Sequence, residues 1–393
     1  MNACMVAYTF YESDGRVRRY AEALVKRGDE VDAIVLRMEG QADFEIINGV
    51  RVHRIQKRVR DERGPFAYLG KLLLFFLRST WTVTKRHLNA RYDLIHVHSV
   101  PDFQVFCTFI PRLMGTRVIL DIHDIIPEFY ASKFKVSERS LIFRLLLLIE
   151  RLSASYSNHV IIANHLWHTK LVQRSVPVGK CTALINYPDP SIFYHRQRTE
   201  YHNGDLVMCY PGTLNWHQGL DVAIGAMAIV REKVPHAKFL IVGDGPDREK
   251  LKSMVKLEGL EDSVVMSGTM PIEQVAMVMA NVDLGVVPKR KNSFGDQAFS
   301  TKIMEFMASG VPVLASDTTI DRYYFSDDLV QFAESGDSID FADKILAFAS
   351  DTDKQRTMRD RGLEFIRDNN WDVRKHEYLN LVDRLLKGSS GGC

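Results

Sequence analysis

The residues best placed for chemistry lie in the segment Phe294–Gly310, which reads FGDQAFSTKIMEFMASG. Ser300 is a good N-cap residue and Gly310 ends the apolar periodicity that follows, so the segment predicts a helix that begins near Ser300. The start of such a helix offers backbone N–H groups to an anion. Lys302 and Glu305 share one helix face, where a cation meets phosphate and a carboxylate accepts ribose hydroxyls. The segment therefore indicates a nucleotide site, with a surface ion pair as the alternative.

Two further glycine-rich loops stand where a predicted strand runs into a predicted helix. They are Pro211–Gly219 (PGTLNWHQG) and Val242–Pro246 (VGDGP). Backbone N–H groups at such a turn suit a phosphate. For either loop taken alone, a plain strand-to-helix turn is the alternative.

The elements that must position these loops follow a regular plan. Short β-branched runs alternate with amphipathic helical stretches, which is typical of parallel sheets covered by crossover helices. We predict an α/β protein with two doubly wound, Rossmann-like sheets and a hairpin around the pair Asn48-Gly49. The predicted strands are residues 4–8, 31–36, 94–98, 118–121, 159–163 and 182–186 in the first sheet, and 206–210, 239–242, 264–267, 282–287, 311–315 and 329–332 in the second.

These elements predict a division into domains. Residues 1–200 form the first domain, residues 201–370 the second, and residues 371–387 a helix that crosses back to the first domain, while residues 388–393 read as a linker-like tail. Ligands of open parallel sheets bind beyond the carboxyl ends of the strands. Two such domains facing each other would form a cleft lined by loops from both.

Composition excludes several classes of protein. Of 393 residues, 46% are hydrophobic and 25% charged, as in an ordinary globular chain. The five cysteines are odd in number and scattered, without a C-x-x-C pair, so a disulfide framework and a zinc knuckle are not expected. The sequence shows neither a signal peptide nor an apolar run long enough to span a bilayer. We therefore predict a cytoplasmic protein.

The charge is unevenly distributed along the chain. Residues 1–200 contain 29 Lys and Arg against 20 Asp and Glu, and the rest contains 22 against 29. The first half also holds two apolar, basic segments, Phe66–His87 and Leu141–Leu152. Buried helices are the commoner explanation for such segments, but the basic run Arg51–Arg63 strengthens the alternative that they lie on an anionic membrane surface. The cations expected to face the lipid are Lys71, Arg78, Lys85 and Arg86. No nucleic acid is expected, because recognised binding patterns are lacking.

Several strings, taken together, resemble the retaining glycosyltransferases of family 4, which have the GT-B fold. The resemblance covers most of the chain and implies a metal-independent transfer of a sugar from a nucleotide-sugar donor, without any cofactor. The strings are DGRVRRYAEALVKRGDEV (Asp14–Val31), YDLIHVHS (Tyr92–Ser99), DIHDIIPE (Asp121–Glu128), the loop Gly212–Gly219, IVGDGPDREKL (Ile241–Leu251), SGTMPIEQVAMVMANVDLGVVP (Ser267–Pro288) and STKIMEFMASGVPVLAS (Ser300–Ser316).

The resemblance assigns roles to particular residues. Glu305 matches the glutamate that holds the nucleotide ribose, and Gln297 stands where the family's other glutamate holds donor-sugar hydroxyls. His123 matches a histidine beside the anomeric carbon. The remaining implied contacts are with the donor phosphates, at Ala298, Phe299, Ser300 and Thr301, and with the base, at Met270 and Pro271.

The chain departs from the family pattern around the donor phosphates. Thr213 and Gln218 stand where the family has an arginine and a lysine, so two positive charges are missing. We predict that Lys302 replaces them, with Lys289 and Arg290 as further candidates, because the charge of the leaving group must be met. The family's double glycine is Gly15-Arg16 here, and we expect Arg16 to reach the phosphate.

Together these features predict a metal-independent, retaining, hexosyltransferase-type enzyme of polysaccharide biosynthesis. The expected donor is a UDP-sugar, and the expected acceptor is a glycan. We expect this glycan to be linked to a lipid, because the basic, apolar segments favour a membrane. Retention would follow from a front-side displacement that needs no side-chain base. Two alternatives remain open at this stage: a non-catalytic GT-B scaffold or partner subunit, and a nucleotide-sugar 2-epimerase.

Overall fold

The computed structural model describes residues 1–58, 65–197, 205–292 and 294–387, apart from the side chains of residues 65–67. The chain divides into two compact units. Unit 1 contains residues 1–186 and the chain from Lys375 onward, and unit 2 is Tyr187–Arg374. The predicted boundary at residue 200 and the predicted tail at residues 388–393 lie outside the described residues.

Unit 1 is built on one sheet whose strand order is β3-β4-β2-β1-β5-β6-β7-β8. Neighbouring strands are parallel except β3 and β4, which form a hairpin. The strands are β1 (Asn2–Ala7), β2 (Glu30–Arg37), β3 (Phe44–Ile47), β4 (Val50–Lys57), β5 (Leu94–His98), β6 (Arg117–Ile122), β7 (His159–Ile162) and β8 (Cys181–Ala183). The helices are α1 (Gly15–Arg27), α2 (Pro65–Asn89), α3 (Phe109–Leu113), α4 (Ile126–Phe134), α5 (Leu141–Tyr156) and α6 (His165–Arg174).

Local sequence accounts for these elements. Every residue of β5 and of β7 is buried, as expected of parallel strands covered on both faces. Asp14 caps α1 by accepting the backbone N–H groups of Arg16 and Val17, and Gly28 ends that helix in the left-handed conformation, at φ 100°. The hairpin turns at Asn48-Gly49, with positive φ at both residues.

Unit 2 is built on a wholly parallel sheet with the order β11-β10-β9-β12-β13-β14. Its strands are β9 (Val207–Pro211), β10 (Lys238–Val242), β11 (Val264–Gly268), β12 (Leu284–Val287), β13 (Val313–Ser316) and β14 (Gln331–Ala333). Its helices are α7 (Leu220–Lys233), α8 (Arg248–Leu257), α9 (Ile272–Ala280), α10 (Thr301–Ala308), α11 (Thr319–Tyr324), α12 (Ser338–Ala349) and α13 (Thr352–Asp368). The last helix of the chain, α14 (Trp371–Lys387), follows.

The predicted pair of doubly wound sheets is confirmed. From Lys375 onward α14 belongs to unit 1, where Tyr378 is fully buried. Its ring lies 4.3 Å from the ring of Tyr20, and its hydroxyl is 3.0 Å from His96 Nδ1. Among the described helices, none combines the length and the apolarity that crossing a bilayer requires.

Candidate active site

In unit 2, the loops that follow neighbouring strands pack into one surface at the carboxyl end of the sheet. After β9, the Gly212 N–H donates to the Val242 carbonyl over 2.8 Å, at the end of β10. At the far end of the loop, Gly219 has φ +67°, and a Cβ there would lie 1.9 Å from the Pro288 carbonyl oxygen. Only glycine fits this approach between the first loop and the residue after β12.

Lys302 extends from α10 along this surface. Its ammonium lies 5.3 Å from the centre of the Tyr210 ring, and a Cβ on Gly212 would come within 2.5 Å of its Cε. No hydrogen bond or ion pair joins this ammonium to another described residue. Burial lowers the pKa of Lys302, and nearby Glu305 opposes that shift. The sheet end therefore presents a partly desolvated cation that is suited to an anion.

The amino end of α10 stands beside this lysine. Ser300 occupies the N-cap position as predicted, but its side chain makes no capping bond, and within the described chain its buried Oγ has no hydrogen-bond partner. The first N–H groups of α10, like those of any helix, have no intrahelical acceptor. Behind the loop, Lys289 Nζ donates to the Ala298 carbonyl over 2.6 Å and pairs with Asp321 at 3.0 Å. The backbone of Ala298–Thr301 is thereby held from one side. The Ala298 N–H donates to the Phe294 carbonyl over 3.0 Å, whereas the N–H groups of Phe299 and Ser300 have no acceptor in the described chain and are available.

The two other cations proposed for the donor phosphates are already paired. Lys289 is 3% exposed and is held by Asp321 and the Ala298 carbonyl. Arg290 forms an ion pair with Asp221 and lies 5.1 Å from the Trp216 ring. Of the three lysine and arginine candidates, Lys302 is therefore the one that forms no ion pair or hydrogen bond with another described residue.

The other predicted donor residues occupy separate places at this edge. Thr213 is exposed, and Gln218 is the last residue of a short 3-10 helix. Because both side chains are uncharged, neither supplies a charge to the loop. Met270 and Pro271 follow β11, two strands from β9, and Pro271 caps α9. The rest lie on α10 or just before it, at Gln297, Phe299, Thr301 and Glu305. The Phe299 ring lies 4.9 Å from the Tyr324 ring, and Glu305 is half-buried.

Sequence reasoning missed two residues of this surface. Burial lowers the pKa of His217, and the positive charges of Lys302 and Lys289 lower it further. Asp296 accepts the backbone N–H and the hydroxyl of Thr319, at 2.8 and 2.7 Å, and so fixes the segment before α10 to the start of α11. His217 could have been found in the sequence because it lies in the glycine-bounded loop. Asp296 could not, because its contact with Thr319 joins residues that are distant in the sequence.

In unit 1, His123 stands just beyond β6 in a cluster of ionisable side chains. Its Nε2 is 3.1 Å from His98 Nδ1 and 3.3 Å from Asp121 Oδ2. The His98 and Asp121 side chains are buried, and that of His123 is 22% exposed. Burial lowers the pKa of His123, the Asp121 carboxylate raises it, and the net direction is upward. His123 is therefore the accessible end of a buried carboxylate–histidine network.

Arg16, which we expect to reach a donor phosphate, has buried partners within unit 1 in this structure. Its Nε and one terminal nitrogen donate to the two carboxylate oxygens of Asp121, both over 2.8 Å, and the other terminal nitrogen donates to the Leu184 carbonyl over 2.9 Å. The residue is 6% exposed. Its donors thus satisfy a buried carboxylate. The neighbouring Gly15 is exposed at the start of α1, in open space.

The same cluster contains a possible metal-ligand set. Ligand atoms of His96, His98 and Asp121 lie within 4.8 Å of one another. Both oxygens of Asp121 already accept from the Arg16 guanidinium, which brings a positive charge into the position that a metal ion would need. These residues do not fit a metal ion while Arg16 holds the carboxylate.

Sequence comparisons match both units to known families. A profile described as "Glycosyl transferase 4-like domain" matches residues 15–186, and one described as "Glycosyl transferases group 1" matches residues 192–365. The D-inositol 3-phosphate glycosyltransferase of Segniliparus rotundus is 30% identical over 325 residues, which are 77% of this chain and 70% of that protein. The amylovoran biosynthesis glycosyltransferase AmsK of Erwinia amylovora is 28% identical over 155 residues, 39% of this chain, and the chain spans only 38% of its length.

Solved structures share the fold of this chain. Sucrose-phosphate synthase of Thermosynechococcus elongatus superposes with a TM-score of 0.79 at 19% identity, covering 99% of this chain and all of that one. HepE of Anabaena in complex with UDP-glucose superposes with a TM-score of 0.70 at 16% identity, covering 99% and 100%. The two Rossmann-like units define the GT-B fold. The chain belongs to the glycosyltransferases of this fold.

Proposed function

We propose that this glycosyltransferase is a retaining, hexosyltransferase-type enzyme that moves a sugar from a UDP-sugar to a glycan acceptor in polysaccharide biosynthesis. The observation that carries the proposal is the ammonium of Lys302, which pairs with no other residue of the described chain and lies beside the glycine loop and the start of α10. A partly desolvated cation without a counter-ion is costly, and a bound diphosphate would supply the missing charge.

The roles of the donor residues follow from their positions in unit 2. Lys302, with the N–H groups at the start of α10, would stabilise the charge that grows on the departing diphosphate. Glu305 would accept the ribose hydroxyls, and Gln297, an amide that donates and accepts, would bind hydroxyls of the donor sugar. In the transfer, the bond from the anomeric carbon to the phosphate oxygen breaks. The acceptor oxygen bonds to the same face of that carbon, and the leaving phosphate takes the acceptor proton.

The comparisons support the choice of donor and product class. HepE, which has the same fold, is described in complex with UDP-glucose, and AmsK is named for the biosynthesis of amylovoran. We further propose that the transfer needs no metal, because Arg16 holds both oxygens of the one carboxylate in the His96–His98–Asp121 cluster.

The exposed apolar side chains of unit 1 favour a lipid-linked acceptor and attachment to the inner face of a membrane. On α2, Leu77 and Trp81 are 63% and 71% exposed, and on α5, Leu141 is 81% exposed. Exposed apolar patches of this kind mark interaction surfaces. Of the cations expected to face lipid, Arg86 instead pairs with Asp32, whereas Lys85 is exposed.

A transfer assay with UDP-sugars tests the proposal. We expect the wild type to release UDP and the Lys302→Met variant to bind UDP about 10- to 100-fold more weakly, because hydrogen bonds to charged groups contribute about 1.5–3 kcal/mol. Lys256→Met, which removes an exposed lysine of α8, is the matched control and should bind UDP as the wild type does. Equal UDP affinity in both variants would contradict the role of Lys302.

Two observations favour functions other than sugar transfer. Thr213 and Gln218 supply no charge where the family has cations, which favours a non-catalytic scaffold; such a protein would bind UDP-sugars without releasing UDP. The gathering of His98, His123 and Asp121 favours a nucleotide-sugar 2-epimerase, which must move a proton at a sugar carbon. In deuterated water an epimerase would label carbon 2 of the recovered donor, and a transferase would leave it unlabelled.

A further inference from the structure

A cavity lies in unit 1 at the amino-terminal end of its sheet. It has a volume of 280 Å³ and is formed by α3, the start of β6 and the end of α5. Arg117 on its wall is the first residue of β6, whereas His123 follows the carboxyl end of that strand. The cavity is therefore separated from the His123 cluster by the length of β6.

Two arginines line this cavity without counter-ions. Within the described chain, Arg112 and Arg117 form no ion pair, and the buried Nε of each has no hydrogen-bond partner. The Arg112 guanidinium lies 4.4 Å from the centre of the Tyr156 ring, so it stacks on an aromatic face and keeps its edge for a planar or tetrahedral anion. None of the residues that line the cavity is acidic.

A neighbouring lysine adds to the positive charge. Lys180 Nζ donates to the Ser155 carbonyl over 2.8 Å, and burial together with the charge of Arg112 lowers the pKa of Lys180. Burial lowers the pKa of His159 to about 4, so this imidazole is neutral near pH 7 and adds no charge. Neighbouring cations repel one another, and a bound phosphate would reduce this repulsion because its negative charge attracts each of them.

The mouth of the cavity is apolar. On α3, Phe109 and Leu113 line it and are 53% and 70% exposed. A 3-10 helix at Asp102–Thr108 joins α3 to its neighbours, because Gln104 donates to Ser79 of α2 over 2.6 Å and Thr108 Oγ1 lies 3.2 Å from the Tyr156 hydroxyl of α5. The exposed apolar residues of α2, α3 and α5 thus adjoin the cationic cavity, a combination suited to the headgroup layer of a bilayer.

We propose that this cavity binds the phosphate of an anionic phospholipid headgroup while the exposed side chains of α3 enter the acyl boundary. The inference rests on the proposed membrane attachment and adds to it a lipid site distinct from the donor surface. Arg112 and Arg117 contact the phosphate, and Phe109 and Leu113 contact the glycerol and upper acyl chain.

Vesicle sedimentation of the full chain tests the site, with phosphatidylcholine vesicles that contain or lack phosphatidylglycerol. We expect the R112Q/R117Q variant to bind the acidic vesicles about 30-fold more weakly, as two cationic contacts of about 1 kcal/mol each would give. The control R356Q/R361Q removes two exposed arginines of α13 and should change binding less than about threefold. If the test variant does not fold, R117Q alone should lose about fivefold.

Three results would overturn the inference: equal losses in the test and control variants, a wild type that ignores acidic vesicles, or loss of inorganic phosphate binding in R112Q/R117Q with vesicle binding intact. The last result would assign the cavity to free phosphate. UDP affinity, measured by calorimetry on the same proteins, separates this inference from the donor proposal. A protein that binds UDP but not vesicles refutes the lipid site alone, whereas one that does not bind UDP refutes the donor site.

Discussion

At the scale of single residues, the donor surface depends on how charge is distributed among three cations. Lys289 and Arg290 are neutralised by Asp321 and Asp221, and they hold loops in place. Lys302 has no such partner in the described chain and stands beside Gly212. Its charge is therefore available for binding, and its protonation should control the affinity for a diphosphate.

Burial lowers the pKa of Lys302 from the ordinary lysine value, so its ammonium loses its proton at a lower pH than an exposed lysine does. We expect UDP affinity to be full near neutrality and to fall as the pH rises through this lowered pKa. Calorimetric titrations from about pH 7 to pH 10 measure the effect. Lys302→Met should bind weakly with little pH dependence, and Lys256→Met should follow the wild type. A wild-type affinity that is flat over this range contradicts the prediction.

Removal of Arg16 should destabilise unit 1. The Arg16→Met change leaves the buried Asp121 carboxylate without its two strongest donors, and breaking a buried pair in this way costs about 3–5 kcal/mol of the free energy of unfolding. Urea unfolding at neutral pH measures the loss. Adding Asp121→Asn removes the stranded charge and should restore part of the stability. A single variant as stable as the wild type would show that solvent reaches the carboxylate.

The same pair has a defined dependence on pH. Burial raises the pKa of Asp121, but Arg16 and His123 lower it more, and the net direction is well downward. A depressed carboxyl pKa contributes stability above the unfolded value of about 3.9, and this stability is lost as the pH falls. The wild type should therefore lose stability on acidification below about pH 4, and the double variant Arg16→Met/Asp121→Asn should lose less.

The buried partner of Arg16 could not be predicted from the sequence, for a physical reason. Its partner Asp121 lies 105 residues away, and sequence spacing does not reveal which buried carboxylate a cation will meet. The prediction that Ser300 stands at the N-cap was confirmed because helix start signals are local. The absence of a hydrogen-bond partner for the Ser300 hydroxyl in the described chain could not be predicted. It depends on the conformation of the preceding loop, which Lys289 holds through the Ala298 carbonyl.

At the scale of elements, the donor surface depends on close approaches between loops. The loop after β9 contacts the residues after β10 and β12 through backbone atoms, with glycines at the contacts. Such contacts fix the loop without side chains that could obstruct a ligand. The loop should therefore be sensitive to a single added methyl group.

Gly219→Ala should destabilise unit 2 more than Gly259→Ala. Both glycines have positive φ, +67° and +61°, so alanine costs about 1–2 kcal/mol of backbone strain at either site. At Gly219 the new Cβ would also lie 1.9 Å from the Pro288 carbonyl oxygen, whereas at Gly259 it meets open space. Thermal unfolding and UDP binding compare the two variants. Equal losses of stability would mean that the loop moves without cost.

Most elements could be predicted because their signals are local. β5 was predicted with its observed bounds, and the hairpin follows from Asn48-Gly49. The short helix α3 was not predicted, since Phe109–Leu113 is five residues long and contains Pro111, so it has too few turns for a helical periodicity. Its exposed face became recognisable only in the folded unit.

At the scale of the whole molecule, the excess of positive charge in residues 1–200 coincides with the exposed apolar side chains of unit 1. The sequence offered buried helices as the commoner explanation for the apolar segments. The structure shows that α2 and α5 are amphipathic, with Phe75 and Phe143 buried and several leucines exposed. Unit 1 therefore has the surface properties expected of a membrane-binding unit.

Leu77→Ser should weaken binding to acidic vesicles about threefold to tenfold without changing the free energy of unfolding, because this side chain is 63% exposed. Leu257→Ser, at an 86% exposed leucine of α8 in unit 2, is the matched control and should bind as the wild type does. Sedimentation at low and physiological salt should also show weaker binding of both proteins at the higher salt, as screening shortens to about 8 Å. Equal losses of vesicle binding in Leu77→Ser and Leu257→Ser would contradict the assignment of the exposed face of α2 to membrane binding.

The position of Tyr378 has a consequence for synthesis on the ribosome. Tyr20 and His96 emerge early, but the aromatic ring that covers them is carried by α14, after the whole of unit 2 has been made. At roughly 5–20 residues per second, unit 2 alone takes on the order of ten to forty seconds to translate. During that interval Tyr20 and His96 of the nascent first unit lack the contact with Tyr378. Unit 2 can therefore complete its fold before unit 1 does, although its synthesis begins later. Unit 1 can therefore be completed only after the whole of unit 2 has been synthesised.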